Sequence, residues 1–157
     1  MPDGLIAPSH NARQSWMALL ARATRGELET ALSNLTPPPD YTLLRAPEIG
    51  LAMVRGRAGG IGNAFNLGEM TMTRCAVRLD DETHPDGLSY VVGRDTRHAE
   101  LAALFDALLQ LPRPTRIADE LLGDIRRRIE AERRARTAET AATRVDFFTL
   151  VREQGGE

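Results

Sequence analysis

The chain has 157 residues, 42% of them hydrophobic and only 4% aromatic, enough for one core built mostly from Leu, Ala, Val, Ile and Met. A formal charge of -2 argues against a dedicated nucleic-acid or anionic-membrane binder, which needs a large basic excess. All 20 basic residues are arginine, which removes Schiff-base chemistry and a P-loop lysine together.

Along the chain, residues 11–35 read as helical. Trp16, Leu19, Leu20 and Ala23 fall at helical spacing, and Thr24-x-x-Glu27 is a capping box that restarts the helix after a short break. Leu28, Ala31, Leu32 and Leu35 continue the stripe until Pro37-Pro38-Pro39 stops it. From Tyr41 the period changes to two. YTLLR and IGLAMVRGR read as two strands separated by Pro47 and a short turn. Ile49, Leu51 and Met53 lie on one face of the second and Ala52 and Val54 on the other, so this strand is expected to be covered on both sides. EMTMTRCAVRLD alternates more cleanly, with Cys75, Val77 and Leu79 opposite Met70, Met72, Arg74, Ala76 and Arg78. The loop DETHPDG ends in the turn dipeptide Asp-Gly and returns the chain into LSYVVGRD, giving an antiparallel meander.

A strong helix follows, with Thr96 as N-cap and a stripe of Leu101, Leu104, Phe105, Leu108 and Leu111 ended by Pro112 and Pro114. The next helix spans about 115–139, with Ile117, Leu121, Ile125 and Ile129 at steps of four. Its basic-looking second half pairs with itself through Asp124–Arg128, Glu130–Arg134 and Glu132–Arg136, each supporting the helix by roughly 0.2–0.5 kcal/mol. RVDFFTLVRE reads as a terminal strand. The expectation is an α+β fold in which helices pack an antiparallel meander sheet, one domain over 1–157 with a flexible leader at 1–10 and a flexible tail at 153–157.

Candidate chemistry is sparse. The single Cys75 excludes an intrachain disulfide framework and a zinc thiol cluster, and His10, His84 and His98 lack metal-ligand spacing, so no metal is expected. With no signal sequence in MPDGLIAPSHNARQSW and no long apolar run, a soluble cytoplasmic protein is expected. VRGRAGGIG places Arg55 and Arg57 beside Gly59, Gly60 and Gly62. It lacks both the P-loop and the dinucleotide pattern, and reads either as a glycine-rich hairpin connection or as a nest of amides for an anion. Arg55, Arg57, Arg74 and Arg78 can line one patch if their strands pair in register. Such a patch suits phosphate or carboxylate, although Met70, Met72 and Ala76 on the same face favour a protein interface. Arg94, Asp95 and His98 sit at a strand-to-helix junction, where they either attract an anion and do acid–base work or simply cap the helix.

Four blocks in order resemble the PhnG family of the carbon–phosphorus lyase system: RQSWM at 13–17, RAPEIGLAMVRGRAGGIGNAFNLGEMTMTRCAVRL at 45–79, VGRDTRHAELAALFDALLQ at 92–110 and RVDFFTLVR at 144–152. The resemblance implies a small subunit of a complex that transfers the ribose triphosphate of ATP onto a phosphonate with release of adenine. It implies PhnH, PhnI and PhnL as co-workers and the radical subunit PhnJ downstream, with nucleosidase activity carried by PhnI. It assigns no catalytic residue to this chain, and no cofactor is expected on it; ATP and the phosphonate are substrates of the complex. An accessory subunit, also homodimeric, is the favoured reading. A stand-alone enzyme using Arg94, Asp95 and His98 and a small-anion (phosphate or phosphonate) binding module remain the alternatives.

Overall fold

The computed structural model describes residues 10–58, 62–111 and 116–142. The terminal strand read in RVDFFTLVRE, the flexible tail, Gly59, Gly60 and all of the leader except His10 lie outside the described residues. The chain divides into two compact units, Met1–Arg126 and Arg127–Glu157.

The fold is α+β. Helix α1 (His10–Leu20) is followed by α2 (Arg25–Ser33). The break between them is the one the capping box demands. The Thr24 hydroxyl accepts from the Glu27 amide at 3.2 Å while the Glu27 carboxylate accepts from the Thr24 amide at 2.7 Å. Strands β1 (Tyr41–Gly56), β2 (Phe65–Leu79) and β3 (Asp86–Val92) form an antiparallel sheet in the order β1-β2-β3.

β1 corrects the expectation of two strands. It is one strand of 16 residues that passes through Pro47. Arg45 pairs with Ala76 and Glu48 with Arg74, so Ala46 and Pro47 bulge opposite the single residue Cys75. β1 is an edge strand, and a proline inside its bulge removes no ladder bond. The turn into β3 is a second correction. The chain reverses at Asp81–His84, where the His84 amide donates to the Asp81 carbonyl at 2.9 Å and His84 has φ 43°. Asp86-Gly87, expected to make that turn, instead opens β3.

Helix α3 (Thr96–Leu108) is the hub. Asp95, not Thr96, is its N-cap, accepting from the His98 amide at 2.9 Å. The expected stripe is wider than a stripe, since every residue from His98 to Leu108 except Glu100 is buried. α3 packs on the sheet face made by Thr73, Cys75, Val77, Leu79, Ser89 and Val91, and against α1 and α2. Gly87 is the point of closest approach: a Cβ there would lie 2.8 Å from the Ala107 amide nitrogen and closer still to the Ala103 carbonyl oxygen.

Helix α4 (Arg116–Ala142) starts in the first unit, where it buries Ala118, Leu121 and Ile125. In the second unit its residues Glu130–Ala141 are exposed. Arg134 pairs with Glu130 at 3.7 Å as expected, and Arg128 reaches forward to Glu132 at 2.8 Å. Among the described residues no helix is long and apolar enough to cross a membrane.

Candidate functional site

The buried polar centre joins α1, β3 and α3. Arg13 and Trp16 are three apart and therefore share one face of α1. Both reach Asp106, whose side chain is 0% exposed in the middle of apolar α3. Its carboxylate accepts from Arg13 Nη2 at 2.7 Å and Nε at 3.2 Å, from Trp16 Nε1 at 2.8 Å and from the Leu88 amide of β3 at 2.9 Å. Arg13 and Gln110 also donate to the Asp86 carbonyl, at 3.0 and 2.9 Å. All the acceptor capacity of Asp106 is therefore spent on holding α1 and β3 against α3. Sequence reasoning did not single out this cluster. Its signal was a lone acid in LAALFDALL, set against the RQSW block of α1.

The Arg94, Asp95 and His98 junction is also structural. Gly93, at φ 99°, turns the chain out of β3, its amide donating to the Thr71 carbonyl and its carbonyl accepting from the Thr73 hydroxyl at 2.8 Å. Asp95 caps α3, and His98, 9% exposed, has Nε2 3.0 Å from the Leu20 carbonyl oxygen, which ends α1. Arg94 is exposed. Cys75 is buried with Sγ 3.3 Å from the Arg45 carbonyl oxygen, and burial, with the Glu100 carboxylate, pushes its thiol up to about 11. It is held as a neutral thiol at pH 7, which is unsuited to a nucleophile. At the same end of the sheet the Tyr41 hydroxyl donates to Glu100 at 2.6 Å, and burial and that carboxylate raise the phenol above its usual range.

The four arginines are not brought into one patch. Arg74 and Arg78 lie on the solvent face of β2, where Arg74 pairs with Glu48 and Arg78 grips Asp86 through two bonds of 2.7 and 2.9 Å. Arg55 pairs in register with Asn66. Seven residues separate it from Glu48, the partner of Arg74, or about 23 Å along the strand. Arg57 lies exposed just beyond β1, and Gly62 stands in a bend before β2.

The Arg74 guanidinium, then Arg45, holds the Glu48 carboxyl below its ordinary 4.5, and Arg78 holds Asp86 below 3.8. A depressed folded-state value means that the stabilisation is whole at neutral pH and is lost as the pH falls through the depressed range. In a carbon-detected carboxyl titration, Glu48 is expected to protonate below 4.5 and Arg74→Ala to return it towards that value. A titration that is the same in both proteins would contradict the pairing.

The most prominent surface is apolar. β3 pairs only with Met72–Arg78, so beyond Met72 the first two strands continue as a bare ribbon to Gly56 and Phe65. On the helix side Ile49 at the start of that ribbon and Leu51 and Met53 along it are exposed, Leu51 to 67%, and near its tip so are Phe65 and Leu67. The expectation that this strand is covered on both sides is corrected: among the described residues its Ile49, Leu51 and Met53 face is left exposed. The seven-residue β3 ends opposite Met72 and so pairs with none of the ribbon beyond it.

Among the described residues no three His, Cys, Asp or Glu side chains converge as a metal site would require. Residues 11–153 match the family model described as phosphonate metabolism protein PhnG. The chain is also 47% identical over 140 residues, 89% of its length and 88% of the relative's, to the alpha-D-ribose 1-methylphosphonate 5-triphosphate synthase subunit PhnG of Rhizobium meliloti (strain 1021). With a family match over residues 11–153 and a relative matched over nearly all of the chain, this protein belongs to the PhnG family of phosphonate metabolism.

Proposed function

We propose that the chain is a non-catalytic subunit of an alpha-D-ribose 1-methylphosphonate 5-triphosphate synthase, the assembly named for its relative. That complex moves the ribose triphosphate of ATP onto a phosphonate and releases adenine. PhnI, PhnH and PhnL are its working partners here, PhnJ acts on the product, and the setting is cytoplasmic. ATP and the phosphonate are handled by the complex; this chain binds no cofactor of its own.

The observation that carries this reading is the ribbon. Leu51, Met53, Phe65 and Leu67 stand in solvent on the stretch of β1 and β2 beyond the reach of β3, with Ile49 exposed beside its start. Burying one such side chain is worth about 1.5–3 kcal/mol, so a partner surface closing over the ribbon gains far more than any exposed ion pair offers. Of the groups that sequence reasoning offered to catalysis, Asp95 caps a helix, His98 meets the end of α1 and Arg94 is exposed; of those offered to an anion, Arg74 and Arg78 are on their own carboxylates. An anion site built on those last two would first have to break both pairs.

Purified chain incubated with ATP and methylphosphonate is expected to release no adenine above a mock preparation. Turnover by the chain alone would overturn the non-catalytic assignment.

A further inference from the structure

At the opposite end of β1 and β2 from the ribbon, three elements stop around a pocket of about 190 Å³. Leu35 follows the C-cap of α2, Leu108 closes α3 with Leu111 just beyond it, and Leu79 ends β2; together they give the pocket an apolar floor. Asp40, Asp80 and Asp81 border its mouth. Tyr41 and Leu79 are the last ladder pair, and one residue further the Asp80 amide donates to the Asp40 carbonyl at 2.9 Å. Asp40 and Asp80 therefore stand opposite each other, like charges in an arrangement that costs a sheet stability. Asp81 and Glu82 follow in the turn, and all four of these acidic residues are exposed. Among the described residues none of the four makes an ion pair, because the arginines of this corner, Arg13 and Arg78, are taken by Asp106 and Asp86. The Asp81 carboxylate accepts from the Thr83 amide and hydroxyl, which leaves its charge in place. Helices α2 and α3 both end at this pocket without a basic residue in the last turn, and each C-terminus adds roughly half a negative charge.

We infer that this pocket is a second docking surface, and that its occupant is a basic segment of a partner protein. One apolar side chain of that segment sits on the leucine floor, and flanking arginine or lysine side chains meet the carboxylates at the mouth. Complementarity of charge and of polarity selects this occupant. A bare cation would answer the carboxylates and the helix ends but leave the leucines in water. A wholly apolar segment would cover the leucines but strip water from the carboxylates without pairing them. A segment that is apolar at its centre and basic on either side answers both, and it also relieves the repulsion between Asp40 and Asp80. The surface is separate from the ribbon, and the inference stands apart from the assignment of the chain as a synthase subunit.

The probe is the peptide acetyl-Arg-Arg-Leu-Arg-Arg-amide, titrated into the isotope-labelled full chain at about 0.05 M ionic strength and followed by amide chemical shifts. The amides of Leu79 to Glu82 and of Leu108 to Leu111 are expected to move, and those of Leu51 and Met53 to stay. Glycine in place of the central leucine of the peptide is expected to weaken binding at least about fivefold, and glutamates in place of its arginines to abolish it. Asp40→Asn, Asp80→Asn and Asp81→Asn combined in one chain keep the side-chain shapes and the acceptor for Thr83. That variant is expected to bind the peptide at least about tenfold more weakly, with its thermal midpoint unchanged or raised because the opposed charges are gone. No shift at these amides up to about 1 mM peptide, or shifts centred elsewhere, would overturn the inference. So would an asparagine variant that binds as before, a glycine peptide as tight as the leucine one, or calcium that moves the same amides where the peptide does not. Binding is scored on the chain alone, so this inference and the subunit assignment, which is scored by co-purification, fail separately.

Discussion

Asp106→Ala is expected to cost about 3–5 kcal/mol, the range for breaking a buried charged pair by removing one partner. The carboxylate is fully buried and accepts from Arg13, Trp16 and the Leu88 amide. Alanine leaves each of those donors without its acceptor, and the Leu88 amide sits on a strand edge that α1 and α3 close off. Three elements come apart from one deletion: α1 loses its two anchors, β3 its edge bond and α3 the group that oriented both. At roughly 2–4 °C per kcal/mol for a chain of this size, the midpoint falls by about 10 °C. Asp106→Asn keeps the shape and one acceptor, and is expected to fall between. Urea unfolding followed by the fluorescence of Trp16, the single tryptophan, reports directly on the docking of α1. A loss below about 1 kcal/mol for Asp106→Ala would contradict the reading of this cluster as the clasp of the fold.

Gly87→Ala is expected to be nearly as damaging, at about 2–4 kcal/mol, from a single methyl group. The added Cβ meets the Ala103 carbonyl oxygen, and also the Ala107 nitrogen at 2.8 Å and Ala107 Cβ at 2.9 Å. Two of those three atoms are helix backbone, so relief requires α3 to lift from the sheet along its buried face. Gly26→Ala is the matched control. Nothing lies within 4 Å of a Cβ at Gly26, which sits inside α2, and alanine there is expected to leave stability unchanged or raise it by about 0.5–1 kcal/mol. Equal effects at the two glycines would show that helix α3 does not press on Gly87 as described.

What could be read from the residues depended on whether the cause was local. The capping box at Thr24 and Glu27, the apolar spacing of α3 and the alternation of Cys75, Val77 and Leu79 act within a few residues, and the structure has each of them. Pro47 misled because a proline breaks a central strand but not an edge bulge, and edge position is a tertiary fact. Asp-Gly at 86–87 misled for the same reason: the glycine serves a helix sixteen residues on, not a turn beside it. The Arg13, Trp16 and Asp106 clasp spans 93 residues and was beyond any local pattern, although a single acid inside an otherwise apolar helix was its mark. The long apolar strand was legible, but the cover inferred for it is not supplied by the described residues.

The ribbon is where the account of this chain as an assembly subunit meets experiment most directly. Leu51→Asp with Met53→Asp changes two exposed side chains, 67% and 52% accessible, and is expected to leave the circular dichroism and thermal midpoint of the chain as they were. Co-purification of that variant with PhnH, PhnI and PhnJ, scored beside adenine release by the reconstituted system, is the measurement. Loss of co-purification together with loss of adenine release is the expected result. A variant that assembles as the unaltered chain does, with or without turnover, would contradict it.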